Sequence, residues 1–500
     1  MGLSADGRTA LRARRPGRTG PTAPSLSRDG RRPGVPAARS SDSKHYEHHH
    51  KHYEHHKHGK RRDERGRRSV AHLLMVESWV GSMSRLLPRA IREGGHEFTF
   101  LTRDLHHYLR AAPEGTAHPL LGARNILTAD TNDLGEAPAT GPGIPDGGLL
   151  PYVERLHRSL GFDGVLTSCD YYLPAVARIA EHLGLPGPSY AAVSAACRKD
   201  RTREVLAAAG LPGPGYARCA DLAEATAAAA ELGYPLVLKP VDLCAGMFVR
   251  RVDDERQLTE AHRALAGFPV NARGQRREPV VLLEELLDGP EVSVETVSYG
   301  GRTRVVGVTD KSIGGAPAFI ETGHMFPAAL DAEQAAGARE TALRAVAALG
   351  LDEVVAHTEI KLTRRGPRVV EVNPRPAGNR ITELVRHVTG IDLAAACVEV
   401  ALGREPELTP RDTGLRSAAV GFLVPERAGV LEAIDGRDRL DAEQAELIEV
   451  QLAEPGRAVK AAGSNNEYLG HLMAGDPEGP GARARVEDLL AQLCPRMVSL

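Results

Sequence analysis

Two short apolar arms joined by Arg364-Arg365-Gly366 push a pair of acidic side chains together and so restrict what this chain can fold into. The arms run His357-Thr358-Glu359-Ile360-Lys361-Leu362-Thr363 and Pro367-Arg368-Val369-Val370-Glu371-Val372-Asn373. Each reads as a strand, and the Arg-Arg-Gly step predicts a three-residue hairpin turn with Thr363 paired to Pro367. That register sets Glu359 opposite Glu371 and His357 opposite Asn373. Carboxylates opposed on adjacent strands have Cβ atoms about 4.5–5.5 Å apart, a destabilising pair by itself. At an effective dielectric of about 20, like charges ~4 Å apart repel by roughly 4 kcal/mol. Either the pair faces water or something strongly positive lies between. A hard divalent cation with oxygen ligands meets that need, and Mg²⁺ carried in by a nucleotide phosphate is the usual form.

The exit of the hairpin, Asn373-Pro374-Arg375-Pro376, sharpens the reading. Residues 371, 373 and 375 share one face of an extended chain. The two prolines keep Asn373 and Arg375 out of the helical region, so the three side chains stay aligned. A carboxylate, an amide oxygen and a guanidinium on one face can serve a metal and a phosphoryl group together. The alternative is an exposed hairpin with charged edges, which Val369, Val370 and Val372 disfavour because they predict burial.

Length and composition allow two to four domains, since 500 residues with 42% hydrophobic content can bury sizeable cores. A net charge of −2 gives no global pull toward nucleic acid or membrane. Cys169, Cys197, Cys219, Cys244, Cys397 and Cys494 are scattered with no Cys-x-x-Cys pair, which fits a reducing cytoplasm without structural zinc or disulfides. No apolar run approaches the ~20 residues that span a bilayer, and the N-terminus lacks the apolar core of a signal peptide.

Residues 1–69 carry no hydrophobic periodicity and predict a disordered tail rich in Arg and His. The tracts His45-Tyr46-Glu47-His48-His49-His50 and His52-Tyr53-Glu54-His55-His56 could chelate a metal loosely, or be solvated low-complexity sequence or an early start. Order begins at Val70, and strands near 70–76, 97–101 and 164–167 alternate with helices near 151–160 and 173–183. That alternation predicts a parallel-sheet α/β domain over 70–195, without the Gly-x-Gly-x-x-Gly of a dinucleotide site. A helix is expected from about 192 to 209, followed by a mixed α+β block over 196–405. Within it, 215–285 is set apart as a lid. The final stretch, 406–500, reads as a small α+β lobe ending in a helix over 483–494.

Three further segments carry chemistry. Tyr234-Pro235-Leu236-Val237-Leu238-Lys239-Pro240 ends a buried strand on a lysine, and a flexible turn over 241–249 follows, a pairing suited to phosphate. Val280-Val281-Leu282-Leu283-Glu284-Glu285-Leu286-Leu287-Asp288-Gly289-Pro290-Glu291 offers apolar walls, a backbone edge for adenine, and a later carboxylate for ribose hydroxyls. Glu321-Thr322-Gly323-His324 sets a carboxylate and an imidazole around a glycine, in what reads as a loop, where they could orient a substrate. Each also has an ordinary structural explanation: a lysine at a sheet end, solvated acids, a satisfied loop histidine.

In combination these segments resemble the ATP-grasp superfamily, in particular its carboxylate–amine ligases of the amino-acid ligase type, over about 70–500. The resemblance implies the ATP-grasp fold: a parallel-sheet α/β domain, a central lid with a grasp domain, and a small C-terminal α+β lobe. By position it implies that Lys199 and Lys239 hold phosphates. Glu284 with the backbones of Glu285 and Leu287 would bind adenine, and Glu291 the ribose. Glu359, Glu371 and Asn373 would hold Mg²⁺ or Mn²⁺, Arg375 the γ-phosphate and acyl phosphate, and Glu321 with His324 the amino-acid pocket. Cys244-Ala245-Gly246-Met247 departs from the Ser or Gly that relatives place beside the phosphates.

The implied activity is ATP-dependent joining of a small-molecule carboxylate to an amine through an acyl phosphate, with Arg375 and His324 in catalytic positions. Nucleic acid and membrane are not expected partners, and a homodimer is the expected assembly. A biotin-carboxylase-like or purine-pathway enzyme would share the nucleotide site, although no Met-Lys-Met biotinylation site is present. A non-catalytic nucleotide sensor is the third reading.

Overall fold

The computed structural model describes residues 70–109, 118–135, 147–315, 317–440 and 447–499. The expected tail over 1–69, with both histidine tracts, lies outside them. Among the described residues no helix is long and apolar enough to cross a membrane.

The first domain is built as its alternation predicts. Strands β1 (His72–Val76), β2 (Glu97–Thr102), β3 (Asn125–Thr128) and β4 (Gly164–Leu166) form a parallel sheet in the order β3-β2-β1-β4. Their connections carry α1 (Met83–Glu93), α2 (Leu105–Leu109), α3 (Leu149–Leu160) and α4 (Leu173–Leu183). Leu73, Leu74 and Met75 are fully buried, as a strand covered on both faces requires, and each such burial contributes ~1.5–3 kcal/mol. Past β1 the chain turns at Glu77, whose φ of 52° is unusual for a non-glycine residue. Its buried carboxylate accepts bonds from Thr102, Thr131 and Tyr108 and from the Arg103 N–H, which hold the turn in place.

The expected helix near 192–209 is two helices, α5 (Tyr190–Ala196) and α6 (Lys199–Ala208), broken at Arg198, which is extended at φ −111°, ψ 109°. The break frees the Lys199 N–H to donate to the Val241 carbonyl at 3.0 Å. A four-stranded antiparallel sheet follows, in the order β5-β8-β6-β7. It comprises β5 (Tyr216–Cys219), β6 (Leu236–Pro240), β7 (Arg250–Val252) and β8 (Val281–Glu285), with α7 (Leu222–Leu232) and α8 (Glu255–Ala266) packed on Leu236, Leu238 and Leu283. Asp221 and Asp254 cap these helices by accepting from the third following N–H.

An antiparallel sheet of eight strands carries the rest. Strands β9 (Glu291–Tyr299), β10 (Arg302–Gly314), β11 (Ile320–Phe326), β12 (Val354–Thr363) and β13 (Gly366–Asn373) are joined by three strands from the last hundred residues. Helix α9 (Ala332–Ala348) packs Ala338 and Ala342 on Val292, Val294 and Ile360. Val297, of the opposite parity on β9, meets α10 (Ile381–Thr389) and α11 (Leu393–Ala401) instead. The stretch expected as a loop around Glu321 and His324 is strand β11.

In the C-terminal segment, β14 (Ser417–Leu423), β16 (Leu447–Leu452) and β18 (Gly470–Asp476) extend the large sheet, which runs β13-β12-β9-β10-β11-β14-β18-β16. Strands β15 (Gly429–Asp435), β17 (Ala458–Val459) and β19 (Cys494–Val498) form a separate three-stranded sheet. The expected terminal helix stops early: α12 is Ala482–Leu490, and Pro495, unable to continue a helix, falls in β19.

The β12–β13 hairpin corrects one expectation while keeping its consequence. Thr363 pairs with Gly366, not Pro367, so the turn holds two residues, and Arg365 N donates to Thr363 Oγ1. A bulge at Val370 then adds one residue to β13 and restores Glu359 opposite Glu371 and His357 opposite Asn373. The Val370 carbonyl accepts from Arg203 Nη2 at 2.7 Å.

The link from β8 to β9 approaches β12 closely. Gly289 has φ +121°, and a Cβ there would meet the Leu362 carbonyl oxygen at 2.3 Å. Gly289→Ala should therefore cost at least about 1–3 kcal/mol, read as a lower denaturant midpoint at unchanged slope. An unmoved midpoint would show that the close approach is not a constraint.

Candidate functional site

Four parts of the chain converge on one cavity of about 540 Å³. The β5–β8 sheet supplies Lys239, Glu284 and Glu285, with Leu287 just past β8, and the large sheet Glu291, Lys311, Glu321, Glu359 and Glu371. Asn373 ends β13 and Arg375 follows it, Lys199 opens α6, and Trp79 and Asp170 come from the first domain. Phe422, Tyr468 and His471 form a wall from the C-terminal segment. Of the residues expected from sequence, only His324 is not on the cavity wall. Its fully buried ring stands edge-on to Phe422 at 5.7 Å and contacts Glu321 Oε2 through Nε2 at 3.2 Å. It supports Glu321 from behind the cavity wall.

The basic side chains are already engaged. Lys239 Nζ lies 2.5 Å from Glu284 Oε2, and Arg203 Nε donates to Glu284 Oε1 at 2.6 Å. Burial raises the Glu284 pKa, but Arg203 and Lys239 outweigh it and hold the carboxyl below its usual range. Burial dominates at Lys239 and depresses its pKa. Glu284 is thus committed to two cations, and the part of 284–287 left for an adenine edge is backbone. The Glu285 carboxylate is likewise turned away, to Arg365 and the Gly215 N–H. Lys199 Nζ donates to the Leu243 carbonyl at 2.7 Å and lies 3.0 Å from Glu371 Oε1.

At the centre is Lys311, which the sequence reading missed. Its Nζ lies 2.7 Å from Glu359, 3.0 Å from Glu291 and 3.1 Å from Glu321, with the side chain 1% exposed. Burial alone would lower its pKa; the three carboxylates hold it well above the ordinary value. Its register rests on two features: Gly300-Gly301, both at positive φ, make a two-residue β9–β10 turn, and a bulge at Val306 then moves Lys311 from opposite Pro290 to opposite Glu291. Arg203 was legible, four residues from Lys199 on one helix face. Asp170 was not, because it reaches Arg375 from another domain.

The acidic pair of the hairpin is compensated without a metal. Glu359 Oε1 meets Lys311 and His357 Nε2 (3.2 Å), and Glu371 Oε1 meets Lys199. Among the described residues no three His, Cys, Asp or Glu side chains converge as a metal site. Two carboxylates and the Asn373 amide oxygen nevertheless fit Mg²⁺, which keeps several waters and takes its other oxygens from substrate phosphates. Burial opposes protonation of His357, but Glu295 (3.0 Å) and Glu359 outweigh it and raise its pKa to about 9.

Over the lysines, the expected flexible turn is tightly folded. Ala245, Gly246 and Phe248 all have φ between 55° and 66°, and the Ala245 carbonyl accepts from Asn465 N at 3.1 Å. Asn465 Oδ1 accepts from Glu321 N at 3.0 Å, and the Tyr468 hydroxyl donates to the Glu321 carbonyl at 2.8 Å.

Known proteins match this arrangement. Family models of an ATP-grasp N-terminal domain match residues 92–187, an ATP-grasp domain 232–383, and an L-amino acid ligase C-terminal domain 2 residues 421–498. An uncharacterized protein, y4rH of Sinorhizobium fredii, is 33% identical over 67% of this chain and 68% of its own length. Alanine–anticapsin ligase of Bacillus subtilis is 26% identical over 63% of this chain and 73% of that protein. The crystal structure of L-amino acid ligase from Bacillus licheniformis shares the fold, with a TM-score of 0.68 at 24% identity, over 86% of this chain and 99% of that one.

Two outcomes follow from the charge pattern. Lys311→Met strands three buried carboxylates and should cost about 3–5 kcal/mol without metal, with added Mg²⁺ raising its melting temperature more than that of the wild type. Equal melting of the two proteins without metal would refute this. The stability due to His357, whose pKa is raised on folding, is complete below about pH 6.5 and lost as pH rises through about 9. Melting temperature should fall across that window, and His357→Gln should flatten the fall; an unchanged slope in the variant assigns it elsewhere.

Proposed function

This chain belongs to the ATP-grasp superfamily, in the carboxylate–amine ligase branch that includes L-amino acid ligases, and on that footing we propose that it joins an amino-acid carboxylate to an amine. The product is an amide or peptide bond, formed through an acyl phosphate with release of ADP and phosphate. One observation carries the reading: lysines, paired carboxylates, an amide and an arginine that are scattered from 199 to 375 line a single cavity.

Nucleotide phosphates take over Lys199 and Lys239 from their present carboxylates, so each cation changes partner and stays compensated. The backbone of 284–287 meets the adenine edge, and Glu291 the ribose. Glu359, Glu371 and Asn373 hold Mg²⁺ or Mn²⁺, which when bound neutralises charge on the phosphoryl oxygens. An oxygen of the substrate carboxylate attacks the γ-phosphorus and ADP leaves, with Arg375 steadying the transferred group. The neutral amine nitrogen then attacks the acyl carbon, the C–O bond to phosphate breaks, and the proton lost from nitrogen leaves with the phosphate. Glu321, held by Asn379 and by His324, is placed to receive the ammonium. Closure of residues 215–285 over the cavity as a lid keeps water from the acyl phosphate. Homodimer formation belongs to the same proposal.

Phosphate release screened over pairs of amino acids, with mass spectrometry of products, tests the reading. A product mass equal to the two substrates less water is expected for at least one pair. Glu371→Ala should abolish substrate-dependent ADP release; near-normal turnover in that variant would contradict its metal role. ADP release that ignores the second substrate would remove the ligase reading.

A further inference from the structure

Between α8 and β8 the chain folds into a short clamp. Asn271 N donates to the Gln275 carbonyl at 2.9 Å, Gly274 N to the Asn271 carbonyl at 3.0 Å, and Val270 bridges Arg276. Arg273 at its tip is 9% exposed because it inserts into the first domain. Its guanidinium donates to the Ser78 carbonyl and lies over the rings of Trp79 and Tyr108, at 5.3 and 5.6 Å. Arg103 and Asn132 donate to the Arg273 carbonyl at 3.0 and 2.9 Å. Gly274, at φ +77°, holds the left-handed turn at the tip, a conformation that favours glycine, with Arg103 close beside it.

The far edge of Trp79 leads to the cavity. Its Nε1 donates to Asp170 Oδ2 at 2.6 Å, and Asp170 Oδ1 accepts from Arg375 Nε at 2.7 Å and meets Nη2 at 2.6 Å. A guanidinium gripped along one edge by a carboxylate has its plane fixed, with little left to organise when a phosphoryl group arrives. We propose that Asp170 is the positioning residue for Arg375, and that docking of Arg273 on Trp79 sets Asp170. Closure of the clamp and alignment of the arginine are then one event. This rests on the role given to Arg375 above.

Trp79 is the single tryptophan of the chain, so its emission reports on the clamp directly. In the full-length protein, Arg273→Met should raise acrylamide quenching of Trp79 by roughly twofold, by populating the undocked state. Asp170→Asn should lower kcat at least about tenfold with the KM for ATP changed less than about threefold. Adding Arg273→Met to Asp170→Asn should cost no more than about a further twofold, because the two act in series. Arg273→Lys, which keeps a cation over the ring, should recover part of the Arg273→Met loss. Trp79→Phe removes the indole donor while keeping an aromatic ring beneath Arg273, and serves if Asp170→Asn does not fold; its kcat should also fall. Values of kcat within about twofold of wild type in both Asp170→Asn and Trp79→Phe, or losses that multiply in the double variant, overturn the inference. If no substrate pair yields product, the ligase reading falls, while equal quenching of wild type and Arg273→Met separately overturns the clamp.

Discussion

Compensation of buried charge is the constraint on which the rest of this structure depends. Lys311 alone faces three carboxylates, Glu284 faces Lys239 and Arg203, Glu371 faces Lys199, and Asp170 faces Arg375. Isolated charges of this kind cost several kcal/mol each to bury, so no member can be read apart from its partner. The elements supplying the partners are therefore locked together: α6 to both the β5–β8 sheet and β13, and the first domain to the exit of β13. Architecture and site are stabilised by the same contacts.

A preassembled array also shapes how a highly charged ligand can enter. The lysines need not be ordered when phosphates arrive, only handed from a carboxylate to a phosphate oxygen. In the proposed reaction, the hand-over of Lys199 frees an oxygen of Glu371 opposite Glu359, which keeps Lys311 and His357, and the freed carboxylate would call for a cation. Nucleotide and metal would then favour each other's binding.

How far the site was legible follows from the range over which each signal acts. The opposition of Glu359 and Glu371 was readable because it lies within one hairpin. It survived a turn one residue shorter than expected because the bulge at Val370 returns that residue. The strands 236–239 and 291–298 were readable from apolar runs, whereas the register of Lys311 was not, because a bulge at Val306 moves it by one residue from what the glycine turn at 300–301 alone would set. The break at Arg198 was hidden because helical periodicity continues across it, while the partner that the freed Lys199 N–H takes, the Val241 carbonyl, lies more than forty residues on. Asp170, Trp79 and Arg273 lie beyond any local pattern, since each has its partner in a different domain. That His324 stands behind Glu321 and off the cavity wall was not legible, because sequence shows which groups are near one another, not which of them lines a cavity.

The C-terminal segment has a part in the chemistry that its distance in sequence conceals. Through one residue, Asn465, it bonds both to Ala245 in the phosphate-side turn and to Glu321 on β11. Ala245 and Phe248 sit in left-handed conformations that cost of order 1–3 kcal/mol each, and such conformations persist only when surrounding structure holds them. Asn465 is part of that hold. The turn over 244–248 and Glu321 therefore share a support, so a shift of the 463–468 loop moves both. In the reaction proposed above, where that turn covers the phosphates and Glu321 receives the second substrate, this shared support would give a physical reason for the branch to carry its own type of C-terminal domain: the domain would set the geometry between the activated carboxyl and the incoming amine.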